Sequence, residues 1–266
     1  MSRLKKVQAL GAGESSPAIQ KAQKVQNARK TQNAQNTQNT QETWGSQKAQ
    51  KLQSTQSPQT NPAQPELEVV LVRHGYTQWN KEHRYLGSTD LPLVPGEAER
   101  LEKLRTQPPL GGEFRSVYCS DLRRCRETLA ALLPHLMPQA VYDSRLREVD
   151  FGAWEGYTYD QLKDNPLYRS WIDNPGSATP PEGEAWAQFA ARVDHFWIEL
   201  LREVQAPDAS RILLVTHGGV IRQLLAQIIE GQTFYTAAAP APGEVTVLRL
   251  LKVGGSWQMA AENANG

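Results

Sequence analysis

The chain has 266 residues with 29 Lys and Arg against 28 Asp and Glu, a near-neutral total that hides a division. Residues 1–65 carry nine Lys and Arg against two Glu, a net of +7, which leaves −6 for residues 66–266. Two cysteines, Cys119 and Cys125, are too few and too close for a secreted disulfide scaffold, and no run approaches the ~20 apolar residues of a membrane span. The composition argues against both classes and makes a reduced, cytoplasmic setting the expectation.

From Gln20 to about Gln59 nearly every third residue is glutamine, as in "KAQKVQNARKTQNAQNTQNTQ". A period of three matches neither the 3.6 of a helix face nor the 2 of a strand, and the stretch has too few apolar groups to offset the entropy of ordering. The expectation for 1–65 is a disordered Gln/Asn/Lys-rich tail. It lacks dense Lys/Arg runs and has one aromatic residue, Trp44, so it reads as solvated chain rather than a nucleic-acid binder. Residues 66–266 suffice for one domain with a substantial core.

Within that domain, "ELEVVLVRHG" reads as a buried strand with four consecutive aliphatics, Val69 to Val72, ending at Gly75. "GEAERLEKLR" (96–105) predicts a helix, "FRSVYCS" a short strand, and "DLRRCRETLAALL" a helix stopped by Pro134. After an "AVYDS" strand comes an irregular region, 146–183, rich in Gly, Pro, Trp and Tyr; its Trp154 and Trp171 are candidates for capping a pocket. A helix follows in "EAWAQFAARVDHFWIELLREV", whose spacing assigns Trp186 and Trp197 to the core. "RILLVTHGG" is a second buried strand leading into the helix "VIRQLLAQII", and "EVTVLRLLKV" and "SWQMAAE" close the chain as strands. This alternation predicts an α/β fold, a three-layer α/β/α sandwich around a mostly parallel central sheet.

In open α/β sheets ligands bind beyond the carboxyl ends of the strands. Both "VRHG" and "VTHGG" place a histidine there, so His74 and His217 are expected side by side although 143 residues separate them. Gly75, Gly218 and Gly219 permit close backbone approach, and the helix after Gly219 points its positive end the same way. "SDLRRCRET" adds Ser120 at a strand-to-helix junction and two arginines, Arg123 and Arg124, in a first turn. Two histidines, Arg73 and one of these arginines suit a dianionic phosphate, and a neutral histidine nitrogen can attack phosphorus itself.

The tripeptide RHG is weak evidence alone; the ordered set is specific. "RHGYTQWN", "YLGSTDLPL", "SDLRRCRET", "LREVDFGAWEG" and "THGG", in this order, resemble the motifs of the histidine phosphatase superfamily, in its phosphoglycerate mutase-like branch, over residues 67 to 262. The resemblance implies that His74 is the nucleophile that becomes phosphorylated and that Arg73, Arg124 and His217 bind the phosphoryl oxygens. Asn80 and Thr77 would line the same pocket, and Glu148, rather than Glu155, would be the proton donor. No metal and no cofactor are implied, and the partner is a small-molecule phosphomonoester. Leu86, Cys125 and "PEGEA" (181–185) depart from the family pattern without touching this set. The segment after Glu148 is short and carries only Arg169, which favours hydrolysis over a cofactor-dependent phosphoglycerate mutase. Among phosphatases the chain is similar to the α-ribazole and broad-specificity group, which makes α-ribazole 5'-phosphate a candidate substrate. A non-catalytic phosphate-binding module is the remaining alternative, and the oligomeric state is left open.

Overall fold

The computed structural model describes residues 66–204 and 210–260; the tail expected over 1–65 lies outside the described residues. Strands β1 (Glu66–Arg73), β2 (Ser116–Cys119), β3 (Ala140–Tyr142), β4 (Ser210–Thr216), β5 (Val245–Val253) and β6 (Ser256–Met259) form one sheet in the order β3-β2-β4-β1-β5-β6. The β3–β2, β2–β4 and β4–β1 pairings are parallel, and β5 and β6 add an antiparallel edge. The last two strands are joined by Gly254 and Gly255, with φ of 58° and 87°; a type I′ hairpin turn needs this left-handed conformation at both central positions.

Seven α-helices lie among the described residues, in chain order α1 (Gln78–Lys81), α2 (Glu97–Glu102), α3 (Arg123–Leu132), α4 (Tyr159–Leu162), α5 (Pro166–Asp173), α6 (Trp186–Glu203) and α7 (Gly218–Ile228). Side chains alternate along β1, and both faces are covered. Leu67, Val69 and Leu71 pack with Phe189 and Val193 of α6 and Leu224 of α7, whereas Val70 and Val72 pack with Leu101 of α2 and Leu129 of α3. Burial on both faces is why β1 and β4 are continuous aliphatic runs. The three-layer α/β/α sandwich expected from the sequence is the observed architecture. α2 stops at Glu102, short of the Arg105 that its pattern suggested, and the chain continues in three-residue turns to a 3₁₀ segment that starts at Pro108.

The irregular region has a small core of its own. Trp154, Leu162 and Tyr168 are buried together, Trp154 and Tyr168 meet edge to face at 5.4 Å, and the Tyr85 and Tyr168 hydroxyls are 2.6 Å apart. The insert therefore has a packed interior from which other side chains can be held over the sheet end.

The position of the site follows from strand order. β1 and β4 are parallel neighbours in register, with Arg73 opposite Thr216, and the His74 N–H donates to the Thr216 carbonyl at 2.9 Å. The chain leaves β1 toward β2 on one side and leaves β4 toward β5 on the other, which opens a crevice between their carboxyl ends. His74 and His217 are the first residues beyond those ends.

Candidate active site

The two histidine rings lie with centroids 5.0 Å apart, and both side chains are buried. The His74 ring is fixed by a 2.7 Å hydrogen bond from Nδ1 to the Gly75 carbonyl. A carbonyl only accepts, so Nδ1 carries the proton and Nε2 of the neutral ring keeps its lone pair. Burial, followed by the fields of Arg124 and Arg73, lowers the His74 pKa well below its usual value. The neutral form is thus the resting form.

His217 is oriented by a different pair. Arg124 Nε donates to Nδ1 at 3.2 Å, which leaves the proton on Nε2, 2.8 Å from Ser120 Oγ. Its pKa is likewise lowered, by burial first and then by Arg124. Two histidines held neutral have a stability consequence. Their folded pKa values lie below the unfolded value of about 6.5, so as pH falls below that point the unfolded chain takes up protons that the folded chain excludes. Stability should be insensitive to these groups above pH ~6.5 and should fall below it, with a limiting slope of about 1.4 kcal/mol per pH unit per histidine. Urea titrations between neutral and mildly acid pH should show this slope reduced in His217→Asn; an unchanged slope would exclude the linkage.

Arg124 is fully buried and donates to the Thr89 carbonyl at 2.8 Å and the Gly87 carbonyl at 2.7 Å as well as to His217. Its neighbour Arg123 points outward and pairs with Glu127 at 2.6 Å. One step of a helix turns a side chain by about 100°, and here that step separates a buried cation from a solvated one. Arg73 donates Nη1 to the Pro240 carbonyl at 2.9 Å, while its Nε is buried and has no hydrogen-bond partner among the described residues. A buried, unsatisfied guanidinium nitrogen is costly unless a ligand completes it.

Glu148 projects into the same crevice from the other side. Its carboxylate accepts from the Gly219 N–H at 2.9 Å and the Val149 N–H at 3.1 Å, and Arg192 clasps the Glu148 carbonyl at 2.9 Å. A Cβ on Gly219 would collide with Glu148 Oε1, so this close approach requires glycine. Glu155 is engaged elsewhere: its carboxylate accepts from the backbone N–H groups of Ser88 at 2.6 Å and Thr89 at 2.8 Å. Burial alone would raise its pKa, but the hydrogen bonds from Thr89 and Ser88 outweigh it and hold the group below its usual value. Asp150 caps the turn at Gly152 at 2.8 Å. Both alternatives to Glu148 are thus committed to loop structure.

Thr77 and Asn80 are joined to each other: Asn80 Oδ1 accepts from the Thr77 N–H at 3.1 Å and hydroxyl at 2.9 Å, forming the capping box of α1. The structure gives this pair a local role at the entrance to the loop after His74. Cys119 and Cys125 are buried free thiols, and burial pushes the Cys125 thiol up to about 12, which suits packing and not nucleophilic chemistry. Trp154 is core rather than cap, whereas Trp171 lines a cleft of about 500 Å³ that reaches Arg73, Glu148, Gly218 and Gly219. Trp186, assigned to the core by its spacing, also lines this cleft, because it sits at the first turn of α6 where the helix emerges at the sheet end. Thr128 was missed by sequence reasoning: its hydroxyl donates to the Arg124 carbonyl at 2.6 Å and accepts from the Gly75 N–H at 2.9 Å, tying the His74 loop to α3. Its only sequence signal was the threonine ending "SDLRRCRET".

Residues 69–264 match the model of the histidine phosphatase superfamily (branch 1), and the chain belongs to that family. It is a histidine phosphatase by fold and by family, and thereby an enzyme acting on small phosphorylated substrates. A protein of Escherichia coli O1:K1 / APEC named "Probable phosphoglycerate mutase GpmB" is 34% identical over 166 residues, covering 61% of this chain and 75% of that relative. The crystal structure of the alpha-ribazole phosphatase from Shigella flexneri is similar with a TM-score of 0.62 at 26% identity, covering 73% of this chain and 94% of that one. The structure of TTHB049 from Thermus thermophilus is similar with a TM-score of 0.53 at 31% identity, covering 68% of this chain and 92% of that one. Among the described residues no helix is long and apolar enough to cross a membrane.

Proposed function

We propose that this protein is a phosphomonoester hydrolase working through a phosphohistidine at His74, with Glu148 as general acid and base. The observation that carries the reading is the His74 tautomer: with Nδ1 donating to Gly75, the nucleophilic lone pair sits on Nε2 in a buried ring flanked by Arg124 and Arg73. In the first step a His74 Nε2–P bond forms as the P–O bond to the leaving group breaks, and the leaving oxygen takes the proton of Glu148. In the second step water gives a proton to the Glu148 carboxylate and attacks phosphorus, returning the electron pair to Nε2.

Arg73, Arg124 and His217 serve as the phosphoryl-binding set, and the buried, unpartnered Nε of Arg73 is what an incoming phosphoryl oxygen would complete. Asn80 and Thr77, joined by the cap of the helix that follows His74, complete the proposed set. Cationic side chains supply the charge stabilisation here, so EDTA should leave the rate unchanged, and vanadate, which mimics the five-coordinate phosphoryl group, should inhibit. Inhibition by EDTA that magnesium reverses would overturn this assignment.

Hydrolysis is preferred to the mutase reading because the one arginine in the segment 149–183, Arg169, is engaged with Asp173 at 3.5 Å and with the Tyr159 hydroxyl at 3.3 Å. The aromatic walls of the cleft and the alpha-ribazole phosphatase likeness make α-ribazole 5'-phosphate the first substrate to assay. Phosphate release across a panel of phosphorylated metabolites, with phosphoglycerate isomerisation measured beside it, tests the reading; isomerisation outpacing hydrolysis would replace it.

A further inference from the structure

The cleft beyond the histidines holds a cation that the mechanism does not use. Arg222 lies on α7 one turn after Gly218 and Gly219, so its side chain leans back over them, toward the phosphoryl site. It lines the cleft, is partly exposed, and has no ion-pair or hydrogen-bond partner among the described residues; its guanidinium carbon lies over the Phe234 ring, 5.9 Å from the centroid. Its charge is felt at Arg73. The surrounding walls are flat and aromatic. Phe151 and Trp171, which stand edge to face at 5.8 Å on the insert side, line the cleft, as do Trp186 and Phe234, which meet at 4.5 Å.

Charge balance separates Arg222 from the phosphate. A dianionic phosphoryl group is matched by Arg73 and Arg124, so the charge of Arg222 remains to be met by the rest of the substrate. Neither Arg169, which is tied to Asp173, nor any other cation among the described residues lines this cleft beside Arg73 and Arg222.

We propose that Arg222 is the specificity-determining residue of a leaving-group subsite. The subsite takes a planar aromatic group between the Phe151–Trp171 and Trp186–Phe234 walls, and Arg222 donates to an acceptor oxygen or nitrogen carried by that group. This rests on the reading of the site as one that receives a phosphomonoester, and it adds what the alcohol portion must be. Small aliphatic phosphates, which fill neither wall, are poor ligands by the same argument.

Binding of phosphonates tests this without turnover and without the leaving-group electronics that complicate rates. Calorimetry with the full chain should show benzylphosphonate binding about tenfold or more tightly than methylphosphonate, and para-carboxybenzylphosphonate about tenfold or more tightly than benzylphosphonate, the size of a charge-assisted hydrogen bond. Arg222→Gln should abolish the second preference, and Arg222→Lys should keep part of it; thermal melts of both variants confirm the fold. A preference that is absent in the wild type, or unchanged in Arg222→Gln, would overturn the assignment of Arg222, and equal binding of benzyl- and methylphosphonate would overturn the aromatic subsite. Phosphonate selectivity that holds while no phosphomonoester is hydrolysed supports the subsite and removes the hydrolase reading; hydrolysis without selectivity does the reverse.

Discussion

His74→Ala should hydrolyse phosphomonoesters at least about 10⁴-fold more slowly than the wild type, the scale seen when a covalent nucleophile is removed. The substitution deletes the only nitrogen that the Gly75 hydrogen bond leaves free to attack, and no other side chain can replace it: the His217 Nδ1 lone pair is occupied by Arg124. The Cys125 thiol beside His217 is held protonated by burial. Rapid quenching of the wild type during turnover should trap an acid-labile phosphoprotein, and the variant should yield none. A variant that kept a substantial fraction of turnover, with its circular dichroism spectrum intact, would end the phosphohistidine mechanism.

Glu148→Gln should separate substrates by the quality of their leaving groups. Glutamine preserves the shape of the side chain, and its one carbonyl oxygen can still accept from either the Gly219 or the Val149 N–H, but it has no proton to give. Alkyl phosphates, whose alkoxide cannot depart unprotonated, should lose about 10²- to 10⁴-fold in the phosphorylation step, the usual size of a general-acid contribution. p-Nitrophenyl phosphate should lose less than about tenfold in that step, since its phenolate leaves unaided. Single-turnover measurement isolates the step, because the same carboxylate assists water in the second one. Equal slowing of both substrates would remove Glu148 from the acid role. The structure offers no ready replacement: Glu155 is held ionised by Thr89 and Ser88, and Asp150 is bound to the Gly152 N–H.

Much of the fold was legible because burial on both faces leaves a mark in one dimension. Residues 69–72 and 212–215 are unbroken aliphatic runs, as parallel central strands must be, and each ends in a histidine followed by glycine. The motif order then pointed to His74, His217 and Glu148 as one set. Local propensity was a poorer guide at edges and at helix ends. α2 yielded three residues to the chain turn before Pro108, and Trp186, on an apolar stripe, became a cleft wall because the first turn of α6 protrudes past the core.

By itself, the sequence determined the α/β alternation, the two strand-end histidines and the family that their motif order spells. Strand order decided the rest, because hydrogen bonding of β4 beside β1 is what brings residues 143 positions apart to a 5.0 Å ring separation. Tertiary packing also chose between chemically identical candidates. Arg124 is buried against two loop carbonyls where Arg123 is solvated, and Glu148 lies on the Gly219 N–H where Glu155 is consumed by the 88–89 loop. A residue's type states which bonds it can make; only the neighbours that folding supplies state which of those bonds are already taken, and among the described residues Arg222 is left with no partner for its donors in the cleft for that reason.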